Sequence, residues 1–169
     1  MSGRLKEKVA IIVGAGQTPG ETLGNGRASA ILFAREGASV LVVDNRMESA
    51  QETKRMIDGE GGIASVCQAD VTSADDCRRM ADECVQVFGK IDILVNIVGI
   101  GVGGGPVELS EQDWDRVIDT NMKGMFLTCK YALPYMEQRG KGAIVNISSR
   151  AAVRFQPYPM LAYSASKGG

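Results

Sequence analysis

Histidine is absent from the 169 residues. Its absence removes every mechanism that uses imidazole as base, including Ser–His–Asp hydrolysis and Cys–His proteolysis. Any proton carrier must then be Tyr, Lys, Asp, Glu or Cys. The 4 cysteines, Cys67, Cys77, Cys84 and Cys129, lie far apart with no CxxC pair. Free thiols and no metal site are the expectation. Long apolar runs are missing too, since stretches such as 9–13 and 39–43 fall far below the ~20 residues of a membrane span. The charged N-terminus is not followed by a signal-peptide pattern, so a cytoplasmic protein without a membrane partner is expected. Nor is there an excess of either charge, with 19 Lys and Arg against 20 Asp and Glu. Such a surface is not built to grip a phosphate backbone, which argues against a nucleic-acid partner. Repeats, low-complexity tracts and linkers are also lacking, and 1–169 reads as a single domain.

What is present is a regular alternation. Short runs rich in Val and Ile recur at 9–13, 39–43, 63–67, 93–95 and 143–147, too short for helices and without clear polar alternation. Such runs suit strands buried on both faces of a parallel sheet. Helix-length segments at roughly 26–36, 48–59, 74–88 and 111–137 separate them, which predicts an α/β, Rossmann-like, doubly wound sheet. Gly37, Gly89 and Gly140 stand where left-handed helix caps are wanted. Ser110, with Asp113 three residues on, reads as an N-cap. The glycine-rich stretch 99–106 reads as a loop at the edge of an active site.

Gly14-Ala15-Gly16 follows the first strand, and Gly24-Asn25-Gly26 opens the first helix. A pyrophosphate needs such glycines, because the backbone must turn tightly and bring the anion to a helix N-terminus. Asp44 closes the second strand, about 20 residues beyond that turn, where an acid takes the ribose hydroxyls of NAD. Its carboxylate would repel a 2′-phosphate, so NAD is preferred over NADP, with Arg46 as a nearby counterweight. Asp44 could instead serve as a turn residue or a helix cap.

Tyr163 and Lys167 are spaced i, i+4 on one helix face, after a strand that ends in Asn146-Ile147-Ser148-Ser149. An alcohol proton must leave as hydride departs, and an ordinary tyrosine, with a pKa of about 10, needs a neighbouring ammonium to act near neutral pH. Together with the glycine turn and Asp44, this set resembles the short-chain dehydrogenase/reductase family. Only Gly14, Gly24 and Gly26 match that family's first turn. Val13 replaces its threonine, and residues 17–23, Pro19 included, lengthen the segment.

The resemblance implies catalytic roles for Asn121, Ser149, Tyr163 and Lys167. Tyr163 is the general acid/base, Lys167 also holds the nicotinamide ribose, Ser149 rather than Ser148 bonds the substrate oxygen, and Asn121 binds a water that relays protons. It further implies adenine contact by Asp70-Val71, and a cofactor-side turn at Asn96 and Gly99. Other roles stay open: Asp70 as a helix cap, Asn96 as a turn residue bonding backbone, and Asn121 as an amide bonding a neighbouring helix or the backbone. Asn121 falls on the apolar face marked by Trp114, Val117, Ile118, Met125 and Phe126. The cluster Phe155, Tyr158, Met160 and Leu161 suits either a hydrophobic alcohol or ordinary loop packing.

The implied activity is hydride transfer between nicotinamide and a small-molecule secondary alcohol or carbonyl, by a homo-oligomer, dimer or tetramer, when full length. The alternatives are a nucleotide-binding sensor or scaffold without catalysis, or an inactive truncated chain. The expected strand order is 3-2-1-4-5 with the last strands missing, since Gly169 falls two residues past Lys167. A free chain of this length is expected to be inactive, with an exposed sheet edge.

Overall fold

β1 (Val9–Val13) is buried at all of its positions, and its side chains alternate between two separate cores. Val9, Ile11 and Val13 join Leu41, Val43, Met80, Cys84 and Met136 on one side, whereas Ala10 and Ile12 join Ala30, Ile31, Val40, Ala50 and Ile57 on the other. That division defines three layers. The central sheet also holds β2 (Ser39–Asp44), β3 (Ile63–Gln68), β4 (Ile93–Asn96) and β5 (Ala143–Asn146). All pairings are parallel, in the order β3-β2-β1-β4-β5. α1 (Asn25–Arg35) and α2 (Met47–Gly59) cover one face; α3 (Ala74–Phe88) and α5 (Gly124–Gln138) cover the other. The computed structural model describes residues 3–18, 20, 22–155 and 157–169, so Pro19 lies outside the described residues.

Local chemistry sets the element ends. Gly37, Gly89 and Gly140 take φ values of 93°, 80° and 65°, the left-handed conformation expected of helix-ending glycines. The Ser110 hydroxyl accepts the Asp113 N–H at 3.1 Å and starts α4 (Glu111–Ile118). The four cysteines are unpaired, and burial pushes the Cys67 and Cys84 thiols up to about 12. Among the described residues no helix is long and apolar enough to cross a membrane.

The span expected as one helix over 111–137 is divided. α4 runs into a π-helical turn, Asp119–Lys123, before α5 begins. The wider turn rotates α5 relative to α4, so one 3.6-residue period does not describe both. Trp114 and Phe126, expected on the apolar face, are exposed at 37% and 57%, while Val117, Asn121, Leu127 and Thr128 are buried. Gly124, just past the turn, lies so close to the loop after β3 that a Cβ there would meet Val71 Cγ2 at 2.7 Å.

The end of the sheet opposite the site is fastened by Asp92. Its buried carboxylate accepts the Val9 N–H at 2.9 Å and faces Lys90 at 3.2 Å and Arg139 at 2.9 Å. β5 is the outer strand beside β4, and Val145 and Ile147 are exposed there.

Candidate cofactor and active site

In a parallel sheet every strand delivers its following loop to the same end, and a crevice opens where neighbouring connections leave in opposite directions. Here that point lies between β1 and β4. A cleft of about 840 Å³ occupies it, lined by Gly14, Gly24, Asn25, Gly26, Asp44, Asp70, Val71 and Gly99 among others. Eight residues expected at a cofactor site thus share one cavity. The loops that wall it touch closely: Gly14 has φ 83°, and a Cβ on it would lie 2.9 Å from Val98 Cγ2.

The first turn uses its own polar groups up before α1 begins. The Gly14 and Ala15 N–H groups donate to the Val43 carbonyl, Gly16 N–H to Asp44 Oδ2 at 2.9 Å, and Gln17 N–H to Ser49 Oγ at 2.7 Å. Gly24, the N-cap of α1, donates its N–H to Gln17 Oε1 at 3.0 Å, and its carbonyl accepts from Ala28. The N–H groups of Asn25, Gly26 and Arg27 precede the first intrahelical bond, and no described residue accepts from them. They are the donors left for an anion. Gly26 is obligatory sterically, since a Cβ would fall 1.8 Å from the Gly14 carbonyl oxygen.

Asp44 is half-buried at the far side of the turn. Besides Gly16, its carboxylate accepts the Arg46 N–H at 3.0 Å and lies 3.8 Å from Arg46 Nε. It therefore serves the turn as well as facing the cleft. Asp70 accepts from the Thr72 N–H and hydroxyl at 2.9 and 2.8 Å, a local turn; the cap of α3 is Ser73. Asn96 is not brought to the cleft. It is buried between strands and helix, donating to Asn146 Oδ1 at 2.8 Å and accepting from Thr128 Oγ1 at 2.8 Å.

α6 (Leu161–Gly168) carries Lys167 beside Gly99, a residue that walls the cleft, and Tyr163 beside Gly101. Lys167 Nζ donates to the Ile147 carbonyl at 2.8 Å and lies 6.0 Å from the centre of the Tyr163 ring. A Cβ on Gly99 would sit 3.0 Å from that ammonium. Burial pushes Lys167 below the ordinary lysine range. Ser148 Oγ donates to the Lys167 carbonyl at 2.7 Å, whereas Ser149 Oγ accepts the Ala151 N–H at 3.2 Å and starts a single 3-10 turn. The glycine-rich loop docks beside this group, with Gly104 N–H donating to the Pro159 carbonyl at 2.9 Å and Leu161 N–H to Gly104 at 3.1 Å. Of the apolar cluster, Met160 packs there, its Cε 2.6 Å from where a Cβ on Gly101 would lie; Phe155, Tyr158 and Leu161 are 90%, 63% and 39% exposed.

Asn121 has protein partners for its whole amide. Oδ1 accepts the Ile100 N–H at 2.8 Å, while Nδ2 donates to the Ile100 carbonyl and to Ser166 Oγ, both at 2.9 Å. The bonding of its side chain is thus to backbone and a neighbouring helix. Ser166, which sequence reasoning passed over, is buried and donates onward to the Tyr163 carbonyl at 2.8 Å. A polar residue directly before Lys167 was the signal available.

The family described as short chain dehydrogenase matches residues 8–169. An uncharacterized oxidoreductase of Thermotoga maritima is 40% identical over 160 residues, covering 95% of this chain and 60% of the relative. A Burkholderia xenovorans crystal structure described as a short-chain dehydrogenase/reductase superposes with TM-score 0.95 at 44% identity, covering 99% of this chain and 66% of that one. A 7α-hydroxysteroid dehydrogenase complexed with NADH and 7-oxo glycochenodeoxycholic acid superposes with TM-score 0.89 at 36% identity, covering 99% and 62%. The chain thus spans about three-fifths to two-thirds of the length of the proteins it matches. By its sequence from residue 8 onward and by its strand order, the chain belongs to the short-chain dehydrogenase family.

Proposed function

We propose that this chain is the cofactor-binding and proton-handling part of an NAD(P)-dependent oxidoreductase that interconverts a secondary alcohol and its carbonyl. The observation that carries the reading is the Tyr163–Lys167 pair, with Lys167 packed beside Gly99, a wall residue of the cleft that also holds the N-terminus of α1 and Asp44. A dinucleotide fits these residues. Asn25, Gly26 and Arg27 offer N–H donors to a pyrophosphate, Asp44 offers a carboxylate to ribose hydroxyls, and Gly99 leaves the ammonium of Lys167 uncovered. The NADH held by the related 7α-hydroxysteroid dehydrogenase supports the same assignment. NAD is preferred over NADP because Asp44 repels a 2′-phosphate, although Arg46 at 3.8 Å offsets part of that charge.

When bound, the nicotinamide ring accepts hydride in oxidation or donates it in reduction. The remaining work belongs to the chain. The Tyr163 hydroxyl takes the proton from an alcohol or returns it to a carbonyl oxygen, and Ser149 Oγ hydrogen-bonds that oxygen. The Lys167 ammonium, held by the Ile147 carbonyl and 6.0 Å from the centre of the Tyr163 ring, would hold the cofactor ribose. Asn121 holds the loop after β4 against α6 while these groups act.

The test is Tyr163→Phe in the full-length protein. Cofactor titration by fluorescence should be unchanged, while turnover of a secondary-alcohol panel falls by about 10²–10⁴-fold. Unchanged turnover removes Tyr163 from the chemistry. Tight cofactor binding without turnover in the wild-type protein would favour a nucleotide sensor instead.

A further inference from the structure

We propose that Gln17 is a positioning residue for the pyrophosphate end of the cleft, its side-chain amide closing the lengthened first turn onto the N-terminus of α1. This rests on the cofactor reading above. The N-cap of α1 is a glycine and has no side chain with which to cap the helix. Helices commonly satisfy the N-cap's own N–H by a Glu or Gln at the third helical position reaching back. Here that position is Arg27, which has no acceptor and whose guanidinium is turned toward α2, donating to Thr53 Oγ1 at 3.0 Å and to the Ser49 carbonyl at 3.2 Å. Gln17 supplies the missing acceptor from the opposite direction, taking the Gly24 N–H on Oε1 at 3.0 Å.

A side chain can position a helix end only if its own backbone is fixed, and that of Gln17 is held from two sides. The Ser49 hydroxyl accepts the Gln17 N–H at 2.7 Å and donates to the Gln17 carbonyl at 3.1 Å. Arg46 Nη2 donates to the same carbonyl at 2.5 Å. The turn is pressed onto α2 at this point, since a Cβ on Gly16 would lie 2.7 Å from Ser49 Oγ. Force therefore passes from α2 through Gln17 to Gly24, and the three free N–H groups that follow Gly24 take their direction from it.

Binding of NAD, ADP-ribose and adenosine to the protein, measured by ligand-observed NMR titration, separates this role from general stability. Gln17→Met, which keeps the shape and removes the amide, and Ser49→Ala should each weaken NAD and ADP-ribose about tenfold. Adenosine, which carries no phosphate, should stay within about twofold. Ser49→Thr keeps the hydroxyl and should restore binding. The double variant should lose little more than the worse single one, because both act on one path. Unchanged NAD affinity in Gln17→Met overturns the proposal, as does an equal loss for adenosine, which would signal loosening of the whole cleft. A wild-type protein that binds none of the three overturns the cofactor reading, and this inference with it.

Discussion

Asn121 and Ile100 pair as two strand residues do, the amide accepting the Ile100 N–H at 2.8 Å and donating to its carbonyl at 2.9 Å. The pairing joins a π-helical turn to the loop after β4, and the bond from Asn121 to Ser166 extends it to α6. One amide thereby sets the distance between the loop that walls the cleft and the helix that bears Tyr163 and Lys167. π turns recur at functional sites because the extra residue turns a side chain inward that a regular helix would not.

Asn121→Ala should therefore cost stability as well as geometry. It leaves the Ile100 N–H and carbonyl without their partner near a buried surface, at about 1–3 kcal/mol for each unsatisfied group. Urea unfolding should show a loss of about 2–6 kcal/mol. A loss under about 0.5 kcal/mol would mean that water replaces the amide freely and that the clip is not structural.

Gly26→Ala should abolish cofactor binding. The added methyl would lie 1.8 Å from the Gly14 carbonyl oxygen, so either the turn or the start of α1 must move. Far-ultraviolet circular dichroism should retain the helical signal while NAD affinity drops more than about 100-fold. Wild-type affinity in this variant would show that the cofactor does not use the first turn.

Replacing Asp44 separates charge from turn-holding. Asp44→Ala loses both the ribose acceptor and the bond to Gly16, and NAD should weaken about tenfold or more while NADP changes little. Asp44→Asn keeps an acceptor for the Gly16 N–H but not the charge, and should shift preference toward NADP. An unchanged NAD-to-NADP ratio in both would contradict the assignment of Asp44.

Asp92 predicts an acid limb in stability. Burial by itself would raise its pKa, but the Val9 N–H, Lys90 and Arg139 outweigh that and hold it below the ordinary carboxylate range. A depressed folded value means that the contribution is complete above the unfolded pKa of about 3.9 and is lost as pH falls through the folded value. Asp92→Ala should cost about 3–5 kcal/mol at pH 7, and less at pH 3. A difference that stays constant across that range would show that the carboxylate's charge is irrelevant.

Much of this could be read along the chain. Strand burial appears as unbroken Val and Ile runs, since a strand covered on both faces needs no polar alternation, and those runs recur in β1, β2 and β4. Gly37, Gly89 and Gly140 announce helix ends because few other residues tolerate positive φ. Tyr163 and Lys167 declare themselves because i, i+4 spacing places two side chains on one helix face whatever surrounds them. These are local properties of backbone and period.

Other features depend on groups distant in sequence, and only the folded chain decides them. The π turn at Asp119–Lys123 carries no period of its own. The position of Asn96 as the last residue of β4 suits either a cofactor-side turn or a turn residue bonding backbone, yet its side chain bonds Asn146 and Thr128, because β5 and α5 close over the end of that strand. Ser166 and Gln17 acquire roles only through partners on other elements, Asn121 for one and Ser49, Arg46 and Gly24 for the other. Sequence determines which backbone shapes are cheap and which side chains share a face; tertiary structure decides which buried donor meets which acceptor, because that pairing is set by the packing of whole elements and not by neighbours along the chain.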